Sequence, residues 1–247
     1  MKFTFGIATT DTAQRMSGNT NNHVSDIIDS IRANNIPSDC YEIIVVGGSH
    51  NYEDAEDVIH IEFDDLNPRP GWFTRKKNIM TEKAKYDNIV FTHDYLVLDK
   101  DWYKGFLKFG DDWEIAMCII KAVEGHRFRD WLAWDDPELC HNVDGFDHRI
   151  ALVPYDYHKP QYMQISGFWW AAKKYVMEAD PLDEALCMGE GEDVEWSMRV
   201  REKYKYVMNT HSVVKVLRPN KKLSAYYVEG EEKYSTPGWE KNININD

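Results

Sequence analysis

Residues 88–102 read NIVFTHDYLVLDKDW. Ile89, Val90 and Phe91 make a short β-rich apolar run, suited to a strand buried inside a sheet. The run stops at Thr92-His93-Asp94-Tyr95, four polar or amphipathic side chains in succession. In open α/β sheets, ligands sit just beyond the carboxyl ends of the strands. A His-Asp pair at such an end is placed to meet a ligand or a metal ion. The plainer alternative is that His93 and Asp94 open a solvated turn, and the rest of the chain decides between the two.

Upstream, Phe3–Ala8 alternates loosely and reads as a first strand, followed by a polar loop containing AQRMSGNTNN. Val24, Ile27, Ile28 and Ile31 recur at helical spacing. Thr20 or Asn21 is a suitable cap, and Asn34-Asn35-Ile36-Pro37 stops that helix. Tyr41–Val46 is the second strand, closed by Gly47-Gly48-Ser49. Strand, helix and strand in this order form a βαβ unit with parallel strands and a right-handed crossover. Val58–Phe63 reads as a third strand, and Arg75–Tyr86 as a helix leading into Ile89. Asp101 can cap a short helix through Phe106, and Glu114–Ile120 is another strand.

Downstream the pattern loosens. Lys121–Pro160 carries few periodic segments but holds Trp131, Trp134, several histidines and many acids. Long irregular stretches inside compact domains are usually functional. Tyr162–Gly167 reads as a small strand, and Phe168–Ala179, FWWAAKKYVMEA, as a helix. Gly189–Lys205 is a further helix with Glu192 and Asp193 in its first turn. Its apolar residues fall in two rows, Val194/Met198 and Trp196/Val200/Tyr204, which implies burial on both faces. Tyr206–Asn209 and Val213–Leu217 read as strand with His211 between them, and the tail from Pro219 is polar.

The totals set the class. A chain of 247 residues, 43% hydrophobic and 29% charged, suits one large α/β domain or two small ones. No run approaches the ~18 apolar residues of a membrane span, and MKFTFGIATT is a strand pattern rather than a secretory signal. The four scattered cysteines suit reduced thiols in a cytoplasmic protein. A net charge of −13 argues against a general nucleic-acid surface. Nine tryptophans, many in polar surroundings, offer flat faces of the kind that sugars use.

Five segments, taken in order, resemble the glycosyltransferases of the GT-A fold, and most nearly the large inverting family 2. They are FGIATTD, YEIIVVGGS, RKKNIMTEKAKYDNIVFTHDY, ISGFWWAAKKYV and GEDVEWSMRV, within a resemblance that runs from residue 3 to about 218. The resemblance implies a Rossmann-like mixed sheet flanked by helices in a single domain over residues 1–218. Residues 1–120 would form the nucleotide-binding half, 121–218 the acceptor half, and 219–247 a C-terminal tail. It implies a UDP- or GDP-sugar donor held by Thr9, Asp11, Gly47, Gly48, Arg75, Lys76, Asn78, Gly167 and Trp169. Three cations at a helix start disfavour its dipole, so a diphosphate near Arg75-Lys76-Lys77 would account for them. The family's metal triplet is Asp-x-Asp, and here His93-Asp94-Tyr95 stands in its place. With His211 as a distal ligand, His93 and Asp94 would hold Mn²⁺ or Mg²⁺.

By the same resemblance Glu192-Asp193 is the acidic pair near the acceptor, with Asp193 the general base, Glu192 the runner-up and Glu190 third. Trp131 and Trp134 would face a glycan, lipid or protein hydroxyl acceptor. A glycoside hydrolase also needs paired carboxylates, but gives no reason for the βαβ start. A nucleotidyltransferase would call for a Gly-rich phosphate loop, which AQRMSGNT is not. A catalytically inactive sugar- or nucleotide-binding relative is the other alternative, since the metal triplet is altered.

Overall fold

The computed structural model describes residues 1–10, 23–48, 57–65, 71–139, 142–143, 146–147, 150–187, 189–217 and 226–227. Asp11, Thr20 and Asn21 therefore lie outside the described residues, as does the tail beyond 217 apart from 226–227.

The first half follows its local patterns closely. Strand β1 (Phe3–Ala8) is buried along its whole length. Helix α1 (Val24–Arg32) buries Val24, Ile27, Ile28 and Ile31, the four residues of its apolar stripe. Strand β2 (Tyr41–Val46) pairs parallel with β1, as a βαβ crossover requires. Strand β3 (Val58–Ile61) extends the sheet beyond β2. Helix α2 (Phe73–Lys83) begins two residues before the expected Arg75 and returns the chain to β4 (Asn88–His93), parallel to β1. Then come β5 (Leu96–Leu98), α3 (Trp102–Phe109) and β6 (Ile115–Lys121).

Alternation along β1 divides the core into two layers. Phe3 and Phe5 meet Trp102 of α3 at ring distances of 5.2 and 5.4 Å on one face. On the other face Gly6 lies under Met80 of α2, where an added Cβ would sit 2.6 Å from the sulfur.

The irregular stretch builds a second sheet. Strands β7 (Leu132–Trp134), β8 (Asn142–Val143), β9 (Phe146–Asp147), β10 (Ile150–Leu152) and β11 (Met163–Gln164) are all short. After β11 the chain re-enters the main sheet as β12 (Trp169–Lys173), then forms α4 (Lys174–Ala179), α5 (Glu192–Val200) and β13 (Tyr206–Val216). β14 (Tyr226–Tyr227) pairs with β10, giving a four-stranded order β11-β7-β10-β14, while β8 and β9 pair with each other. The main sheet runs β3-β2-β1-β4-β12-β6-β13-β5, with β12 antiparallel to both neighbours.

β12 corrects the expected helix over Phe168–Ala179, of which only Lys174–Ala179 is helical. Trp169, Trp170, Ala171 and Ala172 are all fully buried. A central strand covered on both faces is a continuous apolar run, which periodicity does not separate from a buried helix. In α5 only the Trp196/Val200 row is buried, and Met198 is 52% exposed, so one face rather than two packs inward. The strand around His211 is continuous, with a bulge between Asn209 and Val213. Among the described residues, no helix is long and apolar enough to cross a membrane.

Candidate active site

Register decides which residues meet. Ala8 pairs with Val46 on one side and with His93 on the other. Thr9, Gly47 and Asp94 therefore leave three parallel strands at the same edge of the sheet, where α/β folds bind ligands. Thr9 donates from Oγ1 to Asp94 Oδ2 at 2.7 Å, joining the ends of β1 and β4. Lys76, with a fully buried side chain, donates to the Thr9 carbonyl oxygen at 2.5 Å and to Thr10 Oγ1 at 3.2 Å. It also forms an ion pair with buried Asp65, and its ammonium lies 5.2 Å from the Phe63 ring and 5.1 Å from the Phe73 ring. Breaking one partner of such a pair leaves a buried charge uncompensated. Gly47 has φ +109°, and a Cβ there would lie 2.0 Å from the Thr9 carbonyl oxygen, so no larger residue fits. Gly48 follows at φ +71°.

The second half of the chain reaches the same edge through β12. Its antiparallel pairing sets Trp169 opposite Thr92, and His93 donates its backbone N–H to the Phe168 carbonyl at 2.9 Å. The Phe168 ring stacks on Phe128 at 5.6 Å and lies 6.1 Å from both His93 and Tyr95. The His93 ring is itself stacked on Phe73 at 4.5 Å.

Gly167, just before Phe168, donates its N–H to Asp193 Oδ2 at 3.0 Å. Asp193 Oδ1 accepts from the N–H of Val194 at 2.9 Å, so the start of α5 orients one carboxylate oxygen and the Gly167 turn the other. A Cβ on Gly167 would lie 2.8 Å from Asp193 Oδ2, so any larger residue there would push on the Asp193 carboxylate. Glu192 beside it is 8% exposed, and burial pushes its carboxyl up from the ordinary range while Lys77 pulls it back.

Two cations complete this corner. Lys77, 1% exposed, donates to the Gly167 carbonyl oxygen at 2.9 Å, and its ammonium sits 4.4 Å from the Trp170 ring. Burial lowers its pKa to about 8, against the opposing pull of Glu192 and Asp193. Arg129 takes a left-handed backbone, φ +46°, and its guanidinium lies 5.2 Å from the Phe168 ring. Burial lowers its pKa too, while Asp193, Tyr95 and Glu192 raise it. Asp65, Lys77 and Arg129 are not among the site residues expected from sequence. Their one local signal is charge: Asp65 closes an acidic pair after β3, and Lys77 is the third cation of α2.

Several expected residues lie elsewhere. Arg75 pairs with Glu82 at 2.8 Å and Glu184 at 3.0 Å, while Asn78 bonds Leu182 and Glu184, so both tie α2 to the segment after α4. Trp169 is fully buried and meets Trp102 of α3, on the sheet face opposite α2. Trp131 is fully buried, stacked on Tyr206 at 5.1 Å, and donates Nε1–H to the Tyr157 carbonyl at 3.1 Å. It presents no face to an acceptor and instead pins its segment to the core. Trp134 is half-buried on β7, and Glu190 is exposed, accepting from the Cys187 N–H at 2.7 Å.

The expected metal set does not assemble. β12 and β6 lie between β4 and β13 in the sheet order, so His211 sits on a strand that does not adjoin the one carrying His93. The His211 carbonyl packs against Gly105 of α3, and its side chain is exposed. Among the described residues, no three His, Cys, Asp or Glu side chains converge on a common point.

No family model matches the sequence, and no curated protein does. Solved structures do match. S. aureus TarS aligns with TM-score 0.59 at 12% identity over 88% of this chain and 37% of its own. TarS 1–349 in complex with UDP-GlcNAc gives 0.57 at 12% identity, covering 94% of this chain and 63% of that one. GalNAc-T7 with UDP, GalNAc and Mn²⁺ gives 0.58 at 14% identity, covering 90% and 45%. The chain thus spans between about a third and two thirds of each. At these identities the likeness is one of architecture: this chain has the GT-A-like α/β fold of glycosyltransferases.

Proposed function

We propose that the chain transfers a sugar from a UDP- or GDP-sugar to a hydroxyl acceptor, inverting the anomeric carbon, with Asp193 as general base. The observation that carries this reading is the Gly167–Asp193 contact at 3.0 Å, which brings a carboxylate to the edge where β1, β2 and β4 end. A hydroxyl is a weak nucleophile at neutral pH. As its oxygen bonds to the anomeric carbon, Asp193 takes the proton. The bond to the diphosphate breaks, and the nucleoside diphosphate leaves with the electron pair. A positioned base is worth about 10²–10⁴-fold.

Thr9, Gly47 and Gly48 shape the strand-end edge against which the nucleotide would lie, with the Thr9 hydroxyl and carbonyl held by Asp94 and Lys76. Arg129 supplies positive charge near Asp193 and Tyr95. The set His93, Asp94 and His211 does not suit Mn²⁺ or Mg²⁺, so no step is assigned to a metal ion. That same mismatch favours the second reading, a non-catalytic nucleotide- or sugar-binding protein.

Incubation with UDP- and GDP-sugars in Mn²⁺, Mg²⁺ or EDTA, read by release of nucleoside diphosphate, separates the readings. Transfer predicts release that rises with a hydroxyl acceptor. Calorimetric binding of UDP or GDP without release supports the non-catalytic protein. Absence of both binding and release overturns both.

A further inference from the structure

We propose that Lys77 is the positioning residue for Asp193: it grips the Gly167 peptide from the carbonyl side while Asp193 takes the N–H of the same residue. This rests on the role proposed for Asp193. Three elements meet at one residue: Lys77 from α2, the turn before β12, and Asp193 from α5. The Gly167 carbonyl accepts from Lys77 Nζ at 2.9 Å, and its N–H donates to Asp193 Oδ2 at 3.0 Å. The turn is narrow, since Trp169 N–H returns to the Ser166 carbonyl at 3.2 Å and a Cβ at Gly167 would press on the Asp193 carboxylate. A shift of Lys77 therefore moves the group that aims the base.

Lys77 is also the cation buried against the acidic pair. Glu192 and Asp193 face it from α5, and the Trp170 ring covers it from β12. Glu192 in turn faces Asp193 and Glu190, while Arg129 and the Tyr206 hydroxyl face Asp193. Burial is the largest influence on Glu192 and pushes its carboxyl up, and Lys77 is the group that opposes it. A neighbouring opposite charge holds a carboxyl down by about 1–3 units.

The test uses Lys77→Met, which removes charge and hydrogen bond; Lys77→Gln, which keeps a donor without charge; and Lys77→Arg, which keeps charge. Carboxyl titration of Glu192 by ¹³C NMR needs no turnover. The expected result is a Glu192 titration moved to higher pH in Lys77→Met and Lys77→Gln and little changed in Lys77→Arg. In parallel, the acidic limb of kcat/KM moves to higher pH in Met and Gln. At optimal pH kcat falls at least tenfold in Met, donor KM changes less than twofold, and Arg restores part of kcat. An unmoved Glu192 titration in folded Met and Gln variants overturns the proposal, as does a kcat loss that melting temperature alone accounts for. If the wild-type protein turns over no donor, the transferase reading fails while the titration still decides the role of Lys77.

Discussion

Lys76 and Lys77 stand side by side in α2, both with buried side chains, yet they serve opposite halves of the sheet edge. Lys76 points to the ends of β1 and β3, where Asp65, the Thr9 carbonyl and two aromatic rings enclose it. Lys77 points to the turn before β12, where it meets a backbone carbonyl and faces Glu192 and Asp193 without a direct ion pair. The first cation is locked in a paired structural contact. The second is held where its charge acts on neighbours. Successive residues of one helix thus tie β1 and β12, strands with β4 between them, into one site.

The contrast breaks first if the second half of the chain is not anchored through Trp131. Trp131→Ala removes a fully buried ring stacked on Tyr206, and should cost about 3–5 kcal/mol by urea unfolding. A raised acceptor KM at unchanged stability would return Trp131 to the acceptor surface.

The contrast between the lysines sharpens through pH. Lys77 releases its proton near pH 8 in the native chain and near 10.5 when unfolded. Between those values the unfolded chain binds more protons, so stability from this group climbs with pH, by about 3 kcal/mol across the window. Stability of wild type minus that of Lys77→Met, followed by denaturant unfolding from pH 7 to 10.5, should rise accordingly. A flat difference would mean that Lys77 is not buried as a charge.

Much of the first half is legible in the sequence alone. The bounds of β1 and β2, the stripe of α1 and the polar end of β4 follow from periodicity over a few residues. The second half depends on distant partners. Lys77 reads as one of three cations on a polar helix, and only contact with Gly167, 90 residues on, makes it a buried one. The WWAAK run looks helical until β4 and β6 flank it. Arg129 and Asp65 belong to no periodic pattern at all. His211 sits in strand, as its neighbours' pattern implies, but strand order, which one sequence does not encode locally, carries it away from Asp94.

Smaller effects test the ends of β1 and β4 and the start of α2. Thr9→Val removes a hydroxyl donor to the Asp94 carboxylate and should cost about 1.5–3 kcal/mol of stability. Loss below about 0.5 kcal/mol, as expected for a solvated group, would show that the two strand ends are not joined there. Arg75→Ala breaks partly exposed pairs with Glu82 and Glu184 and should cost under about 1 kcal/mol. UDP affinity by calorimetry should change less than twofold, and a tenfold loss would bring Arg75 back to the donor.

The central claim is that both halves converge on Asp193 as the base. Asp193→Asn preserves size and the helix start while removing the proton acceptor. Single-turnover transfer from the UDP- or GDP-sugar that supports release, measured beside nucleotide affinity on the same preparation, tests it directly. A base at Asp193 predicts a rate loss of about 10²–10⁴-fold with nucleotide affinity held within threefold. Transfer at a near wild-type rate would contradict it and move the base elsewhere.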